Sequence, residues 1–302
     1  MHDIVVIGAG PAGMTAAIYA RRAAKTVLVL EAVTPGGQII NTPDIENYPV
    51  EAHISGFDFS NRLHEQAKGL GAEFALEKAV EIRDEGDQKV VVTTKGEHAA
   101  RAVILATGSE NRKLGLPDEA RLTGRGISYC ATCDGNFYRN KVVAVVGGGN
   151  TALEDALFLA DIAQRVYLIH RRDSFRGEET TVARLKARDN VEFVYNANVT
   201  GLVAEKRLKA IEVTDKLDGS VRTIELNGLF VAVGRVPENQ NFASVVKLDE
   251  SGYVVAGEDC HTSAEGIFVA GDNRTKALRQ LVTAAADGAM AATEAVRYVN
   301  EH

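Results

Sequence analysis

The sequence predicts an α/β fold in two parts, each opened by the same strand–turn–helix–strand unit. Three observations predict it. An apolar strand runs into a glycine-rich turn and a helix near the start, in IVVIGAGPAGMTAA. The pattern returns in mid-chain, in KVVAVVGGGNTALEDA. Each copy is followed by a second strand-length apolar run, TVLVLE and then RVYLIH. A chain of 302 residues is long enough for two cores, and 45% hydrophobic residues with 28 glycines suit many tight turns.

The first unit takes residues 3–8 as a strand, about 12–24 as a helix, and a second strand ending at Glu31. Gly8, Gly10 and Gly13 allow a tight turn and a close approach to the N–H groups at the helix start, where a pyrophosphate is held. Pro11 belongs to the same turn. The distance from Gly8 to Glu31 suits a βαβ unit whose terminal carboxylate meets ribose hydroxyls. A carboxylate there repels a 2'-phosphate, so this site favours FAD or NAD over NADP.

Residues 32–50 read as a polar loop, because its prolines and paired glycines exclude a long regular element. A helix is expected at 57–70, then strands near 73–76, 79–83, 89–94 and 101–106, the last ending in ATG. The run NRKLGLPDEARLTGRG breaks the pattern and reads as a linker at about 111–118.

The second unit begins near 118, with a strand at 141–146, a helix at 151–161 and a strand at 165–169. Gly147, Gly149, Asn150 and Thr151 form its turn, and Ala152 stands where a third glycine would. Its second strand ends in HRRDSFR, with His170, Arg171, Arg172 and Arg176 where the first unit has its acid. Guanidinium forks suit phosphate oxygens, so this site selects NADP. Strands follow near 191–195, 208–214, 221–226 and 228–233, and a second crossing is expected at 238–248. A strand, a Gly-Asp turn and a long helix of small residues close the chain. The expected domains are 1–115 with 245–302, and an inserted 116–244. The fold class is therefore α/β with two Rossmann-like dinucleotide-binding domains, the NADP domain inserted into a discontinuous domain for FAD or NAD.

Two of the three cysteines, Cys130 and Cys133, form C-x-x-C between the two fingerprints. In an α/β context this reads as a redox pair. A zinc knuckle needs two more ligands at short spacing, and the nearest, Cys260 and His261, are far along the chain, so no metal is expected. Cys260 reads as structural. A net charge of -7 argues against broad nucleic-acid binding. No apolar run reads as a membrane span and no export leader is visible, so a cytoplasmic protein is expected. Two dinucleotides and one dithiol are the parts of an electron relay.

On these residues the chain resembles the bacterial-type low-molecular-weight thioredoxin reductases, which are flavin-dependent pyridine-nucleotide disulfide oxidoreductases. The resemblance spans the chain, through GAGPAG, GGQ at 36–38, ENYP at 46–49, ATG at 106–108, CATCDG at 130–135, GGGNTA at 147–152, HRRDSFR at 170–176, and GD and RQ at 271–272 and 279–280. It departs at Val236, Pro237, Glu238 and Asn239, where the family often has Pro-Asn. The resemblance implies that NADPH reduces FAD, FAD reduces the Cys130–Cys133 disulfide, and the dithiol reduces thioredoxin. It implies Cys133 as the sulfur beside the flavin, Cys130 as the sulfur that attacks the partner, and Asp134 as the acid–base residue. It implies flavin contacts from Gly37, Gln38, Asn47, Thr107, Gly108, Gly271, Asp272, Arg279 and Gln280. It also implies a homodimer, and a rotation of the NADP unit on the two crossings. The residues alone leave the partner open: a glutaredoxin-like or peroxidase-coupled protein, or a dithiol oxidase, fits the same pair.

Overall fold

The computed structural model describes residues 1–42 and 44–302. The chain divides into two compact units, one formed by Met1–Glu110 with Val236–His302 and the other by Asn111–Arg235. The chain thus changes unit at 110/111 and at 235/236. The second change comes earlier than the crossing expected at 238–248. That segment instead turns through a 3-10 helix at Gln240–Phe242 and buries Phe242 and Val246 in the first unit.

The first unit opens with β1 (His2–Ile7), α1 (Pro11–Arg22) and β2 (Val27–Glu31). A 3-10 helix at Gly37–Asn41 gives the expected loop one short regular turn. Then come α2 (Gly56–Gly69), β3 (Glu73–Leu76), β4 (Ala79–Asp84), β5 (Lys89–Thr93) and β6 (Glu97–Leu105). Ser55 caps α2 by accepting from the Asp58 N–H. A short strand, β7 (Ser109–Asn111), leads out of this unit.

The second unit holds α3 (Glu119–Leu122), β8 (Ile127–Ser128), α4 (Ala131–Asp134), β9 (Val142–Gly147), α5 (Asn150–Ile162), β10 (Arg165–Ile169) and α6 (Glu179–Lys186). It continues through β11 (Val191–Val194), β12 (Ala197–Ala204), β13 (Leu208–Asp215), β14 (Val221–Glu225) and β15 (Gly228–Ala232). The chain returns by β16 (Arg235–Pro237), which pairs with β7, and ends with β17 (Ile267–Val269) and α7 (Leu281–Glu301).

The first unit's sheet has the order β3-β2-β1-β6-β5-β4, with β17 also on β6. Strands β1, β2, β3, β6 and β17 pair in parallel, while β4 and β5 form an antiparallel extension. Alternate residues serve opposite cores, as a sheet covered on both faces requires. Ile4, Val6, Val27 and Val29 pack with α1 and α7, whereas Val5, Ile7, Leu28 and Leu30 pack with Phe242, Val246 and Val254. The small-residue stripe of α7 lies on α1: a Cβ on Gly288 would strike the Ala12 carbonyl.

The second unit's sheet, β11-β10-β9-β15-β8, is parallel throughout. Val143 and Val145 face α5, and Ala144 and Val146 face the antiparallel sheet β12-β13-β14. Among the described residues no helix is long and apolar enough to cross a membrane.

Candidate active site

The dithiol site begins with a local device. Strand β8 ends at Ser128, and Cys130 is the N-cap of the single-turn helix α4. Two intervening residues wound in that turn bring the two sulfurs together, and Cys130 and Cys133 are joined in a disulfide. The Cys133 N–H donates to Cys130 Sγ at 3.2 Å. Gly135 follows because helix α5 lies close: a Cβ there would sit 2.6 Å from Phe158 Cε1.

Asp134 stands beside the pair. Its Oδ2 accepts from the Ser128 hydroxyl at 2.7 Å. Its Oδ1 is buried and has no partner among the described residues. Burial pushes this carboxyl above its ordinary range, and the Ser128 hydrogen bond opposes that push. The carboxyl thus has one oxygen anchored and one without a partner among the described residues. Sequence reasoning missed Ser128, which has no signal of its own there.

The second unit's glycine turn stands at the start of α5. Gly149 is the N-cap, makes no side-chain cap, and has open space where a Cβ would be. Gly147 is packed tightly: its Cβ would lie 2.6 Å from Ala152 Cβ. Asn150 Oδ1 accepts from the Glu178 N–H at 2.8 Å, while Thr151 is exposed. Arg171, Arg172 and Arg176 are exposed, and none has a carboxylate partner among the described residues. Arg172 and Arg176 repel the protonated form of His170. His170 stands just past the end of β10, under the turn. Its ring is 5% exposed, stacks on Phe175, and lies directly beneath Gly148. Burial first, and the arginines after it, hold its pKa below the ordinary imidazole value. It props the turn from below.

The first unit's glycine turn is built the same way. Gly10 is the N-cap of α1 without a side-chain cap, and Pro11 occupies the first turn. A Cβ on Gly8, whose φ is 108°, would strike the Ala106 carbonyl, and one on Gly13 would strike the Gly8 carbonyl. Gly37 sits against Gly10, with its Cβ position 3.1 Å from Gly10 Cα, and Gln38 follows in the 3-10 helix. Glu31 closes the unit: Oε2 accepts from the Ala9 N–H at 2.9 Å and Oε1 from the Val33 N–H at 3.0 Å. Each oxygen keeps a lone pair for a hydroxyl donor.

The remaining candidates of this unit fall into two groups. Asn47 Nδ2 donates to Gln280 Oε1 at 3.1 Å, joining residues far apart in the chain. Gln280 is the N-cap of α7 in a capping box, so its N–H is spent on Thr283 Oγ1. Arg279 lies over the Tyr253 ring, 4.2 Å from its centre, and donates to the Asp272 carbonyl. Thr107 donates to Asn239 Oδ1 at 3.0 Å, beside Gly108 with its φ of 69°. Asn239, in the segment that departs from the family pattern, is a buried hub whose Nδ2 also meets the Gly252 and Asn273 carbonyls.

Beneath Gly271 and Asp272 is a buried ionic cluster that the sequence did not announce. Asp287 of α7 accepts from the Gly271 N–H at 2.9 Å, from Arg274 Nε at 2.8 Å and Nη2 at 2.9 Å, and from Lys276 Nζ at 2.8 Å. Burial pushes the Asp287 carboxyl up, but these donors outweigh it and hold its pKa below the ordinary value. Cys260 is free and buried against this cluster; burial, then the Asp287 charge, pushes its thiol up to about 12. An inert thiol agrees with a structural role. Elsewhere, Asp44, Glu46 and His53 gather within 4.8 Å of one another on the surface, where the His53–Asp44 ion pair at 2.9 Å accounts for the grouping.

The family model for pyridine nucleotide-disulphide oxidoreductases matches residues 2–288. A thioredoxin reductase of Listeria innocua is 42% identical over 302 residues, which is all of this chain and 95% of the relative. One of Bacillus subtilis is 41% identical over the whole chain and 96% of the relative. The crystal structure of thioredoxin reductase from Streptococcus pyogenes superposes with a TM-score of 0.94 at 38% identity, covering 100% of this chain and 99% of that one. With two glycine turns, a C-x-x-C disulfide and these relatives across its full length, this chain belongs to the pyridine nucleotide-disulphide oxidoreductase family, among the bacterial-type low-molecular-weight thioredoxin reductases.

Proposed function

We propose that this chain is an NADPH-dependent thioredoxin-disulfide reductase that uses FAD. The observation that carries the reading is the Cys130–Cys133 disulfide with a buried carboxyl next to it, on the unit that also bears the arginine-flanked glycine turn.

The residues fit both cofactors. In the unit of Met1–Glu110 and Val236–His302, the uncapped start of α1 offers N–H donors to a pyrophosphate, and Glu31 offers carboxylate oxygens to ribose hydroxyls. Gly8, Gly10, Pro11, Gly13, Gly37, Gln38, Asn47, Thr107, Gly108, Gly271, Asp272, Arg279 and Gln280 are the further FAD contacts of this reading. In the unit of Asn111–Arg235, the open space at Gly149 admits a phosphate, and three exposed guanidinium groups with no carboxylate partner among the described residues meet a 2'-phosphate. FAD and NADPH supply hydride and two-electron chemistry when bound.

The chain's own part is thiol–disulfide exchange. In the reduced enzyme the Cys130 thiolate attacks the thioredoxin disulfide, forming a mixed disulfide and releasing one thioredoxin thiolate, which takes a proton from Asp134. Cys133 then attacks Cys130 Sγ. That step re-forms the Cys130–Cys133 bond and frees the second thioredoxin sulfur as a thiolate, the Cys133 proton passing to the Asp134 carboxylate. Two electrons pass to thioredoxin and the pair returns to the oxidised state seen here. Such a reductant works in a reducing cytoplasm. The resemblance supports a homodimer, which sedimentation tests.

The experiment follows NADPH oxidation by the FAD-loaded protein with oxidised thioredoxin as the only acceptor. Turnover that vanishes in Cys130→Ser and Cys133→Ser is expected. Bleaching of the flavin by NADPH with no reoxidation by thioredoxin overturns the partner assignment and keeps the relay.

A further inference from the structure

Ser128 occupies a position whose chemistry the disulfide mechanism does not yet use. Its side chain is 4% exposed at the end of β8. The hydroxyl accepts from the Cys130 N–H at 3.1 Å. It has one proton and two acceptors within reach, Asp134 Oδ2 at 2.7 Å and the Cys130 carbonyl at 3.2 Å. The charged, closer carboxylate takes the proton, since bonds to ionised acceptors are shorter and stronger. One side chain thus grips the backbone of the first cysteine and the carboxyl next to the second.

We propose that Ser128 is a positioning residue for the dithiol chemistry: its hydroxyl holds the Asp134 carboxylate in a fixed relation to Cys130 and Cys133, so that one oxygen is anchored and the other is left to exchange protons. This rests on the reading of Asp134 as the acid–base residue. The partition of the two oxygens supports it. Oδ2 is bound to Ser128, while Oδ1 is buried with no partner among the described residues. A carboxyl free to rotate has no defined oxygen for the leaving thiolate.

The hydroxyl also has an electrostatic effect. Donation to the charged carboxylate favours ionisation, and burial opposes it. Other ionisable groups nearby are Tyr138, whose phenol is pushed up by burial and by Asp134, and Arg207, which bonds that phenol. Helix α5, packed against α4, carries Glu154 and Asp155. None of them replaces the Ser128 proton at Oδ2.

The test is the pH dependence of the oxidative half-reaction, with pre-reduced holoenzyme mixed rapidly with oxidised thioredoxin. Delivery of a proton by Asp134 gives the rate an alkaline limb. In Ser128→Ala that limb moves up by about one pH unit, a tenfold change in the protonation equilibrium. Ser128→Thr, which keeps the hydroxyl, restores it. Should Ser128→Ala fail to fold, as judged by its thermal midpoint, the near-isosteric pair Ser128→Thr and Ser128→Val makes the same comparison. A limb unmoved by loss of the hydroxyl, yet abolished by Asp134→Asn, overturns the role of Ser128 and leaves that of Asp134 standing. A limb that survives Asp134→Asn overturns both.

Discussion

Asp287→Ala removes the one acceptor shared by two buried cations and by the turn above them. Arg274 is 1% exposed and Lys276 4% exposed in their side chains. Four hydrogen bonds end on the Asp287 carboxylate, three from these cations and one from the Gly271 N–H. Without it, Arg274 keeps the Thr275 carbonyl and a 3.3 Å contact to the exposed Glu258, and Lys276 keeps a long contact to the Thr283 carbonyl. Removing one partner of a buried ion pair costs about 3–5 kcal/mol, because the remaining charge is stranded. At about 2–4 °C per kcal/mol for a folding unit of this size, the thermal midpoint falls by roughly 6–20 °C. The pH dependence has a definite sign. The pKa of Asp287 is depressed in the folded protein, so its contribution is present above the unfolded carboxylate value of about 3.9 and fades as pH falls through the lower folded value. Calorimetry of the apoprotein from pH 8 downward measures both effects. Replacing all three charges together, with Arg274→Met, Lys276→Met and Asp287→Leu, recovers most of the loss. A loss below about 1 kcal/mol in Asp287→Ala would refute the reasoning, since two stranded cations cannot be that cheap.

Two further outcomes follow from charged groups of the second unit. Arg171→Gln with Arg176→Gln lowers the preference for NADPH over NADH by about 10–100-fold, the worth of charge-assisted bonds to a 2'-phosphate, with the NADH constant little changed. Steady-state kinetics with each nucleotide checks this; an equal loss for both assigns the arginines to something other than that phosphate. Asp155 on α5 is pushed up to about 7, by burial first and the Glu154 charge second. A carboxyl raised on folding stabilises most at low pH and loses that contribution as pH rises through about 7. Asp155→Asn therefore melts above wild type at pH 8, and the gap closes towards about pH 4.

The parallel strands were legible because both faces of each sheet are covered, which leaves short unbroken apolar runs such as IVVI and VLVL. Elements that rest on tertiary support were not. Helix α6, ETTVARLK, carries β-branched residues in its first turns, and β12 contains Gly201 at a register shift. The β6 start was hidden in the polar EHAA. The site divides the same way. The disulfide is a three-residue event and shows in the spacing. Asn239 acts through Thr107, 132 positions away, and Asp287 through Gly271 and Arg274 across a helix. A buried polar residue is explained by its partner, and the partner is not local. His170 was legible as the residue at which the second strand of its unit ends, but its side was not, because period and spacing do not say which face of a turn a ring supports.

The two glycine turns can be superposed by register, and the superposition explains why one reads GAG and the other GGG. Ile7 pairs with Leu30, and Val146 pairs with Ile169. Glu31 and His170 are therefore the same position, one residue further on, and Ala9 and Gly148 are the same turn residue. Both side chains are spent on that residue: Glu31 accepts the Ala9 N–H, and His170 lies against Gly148. A carboxylate is slim and leaves room for the Ala9 methyl. An imidazole fills the space, so a Cβ at 148 would enter the ring. In the proposed function, the ribose specificity of the second unit then falls to the residues after His170, the exposed arginines. Gly148→Ala alone overpacks this site by about 1–3 kcal/mol and weakens NADPH binding, leaving flavin content unchanged. Gly148→Ala with His170→Glu rebuilds the first unit's pair and recovers the thermal midpoint. It does not recover NADPH affinity, because a carboxylate now faces the 2'-phosphate, and NADH gains relative to NADPH. Equal recovery for both nucleotides would mean that position 170 never senses the ribose and serves the turn alone.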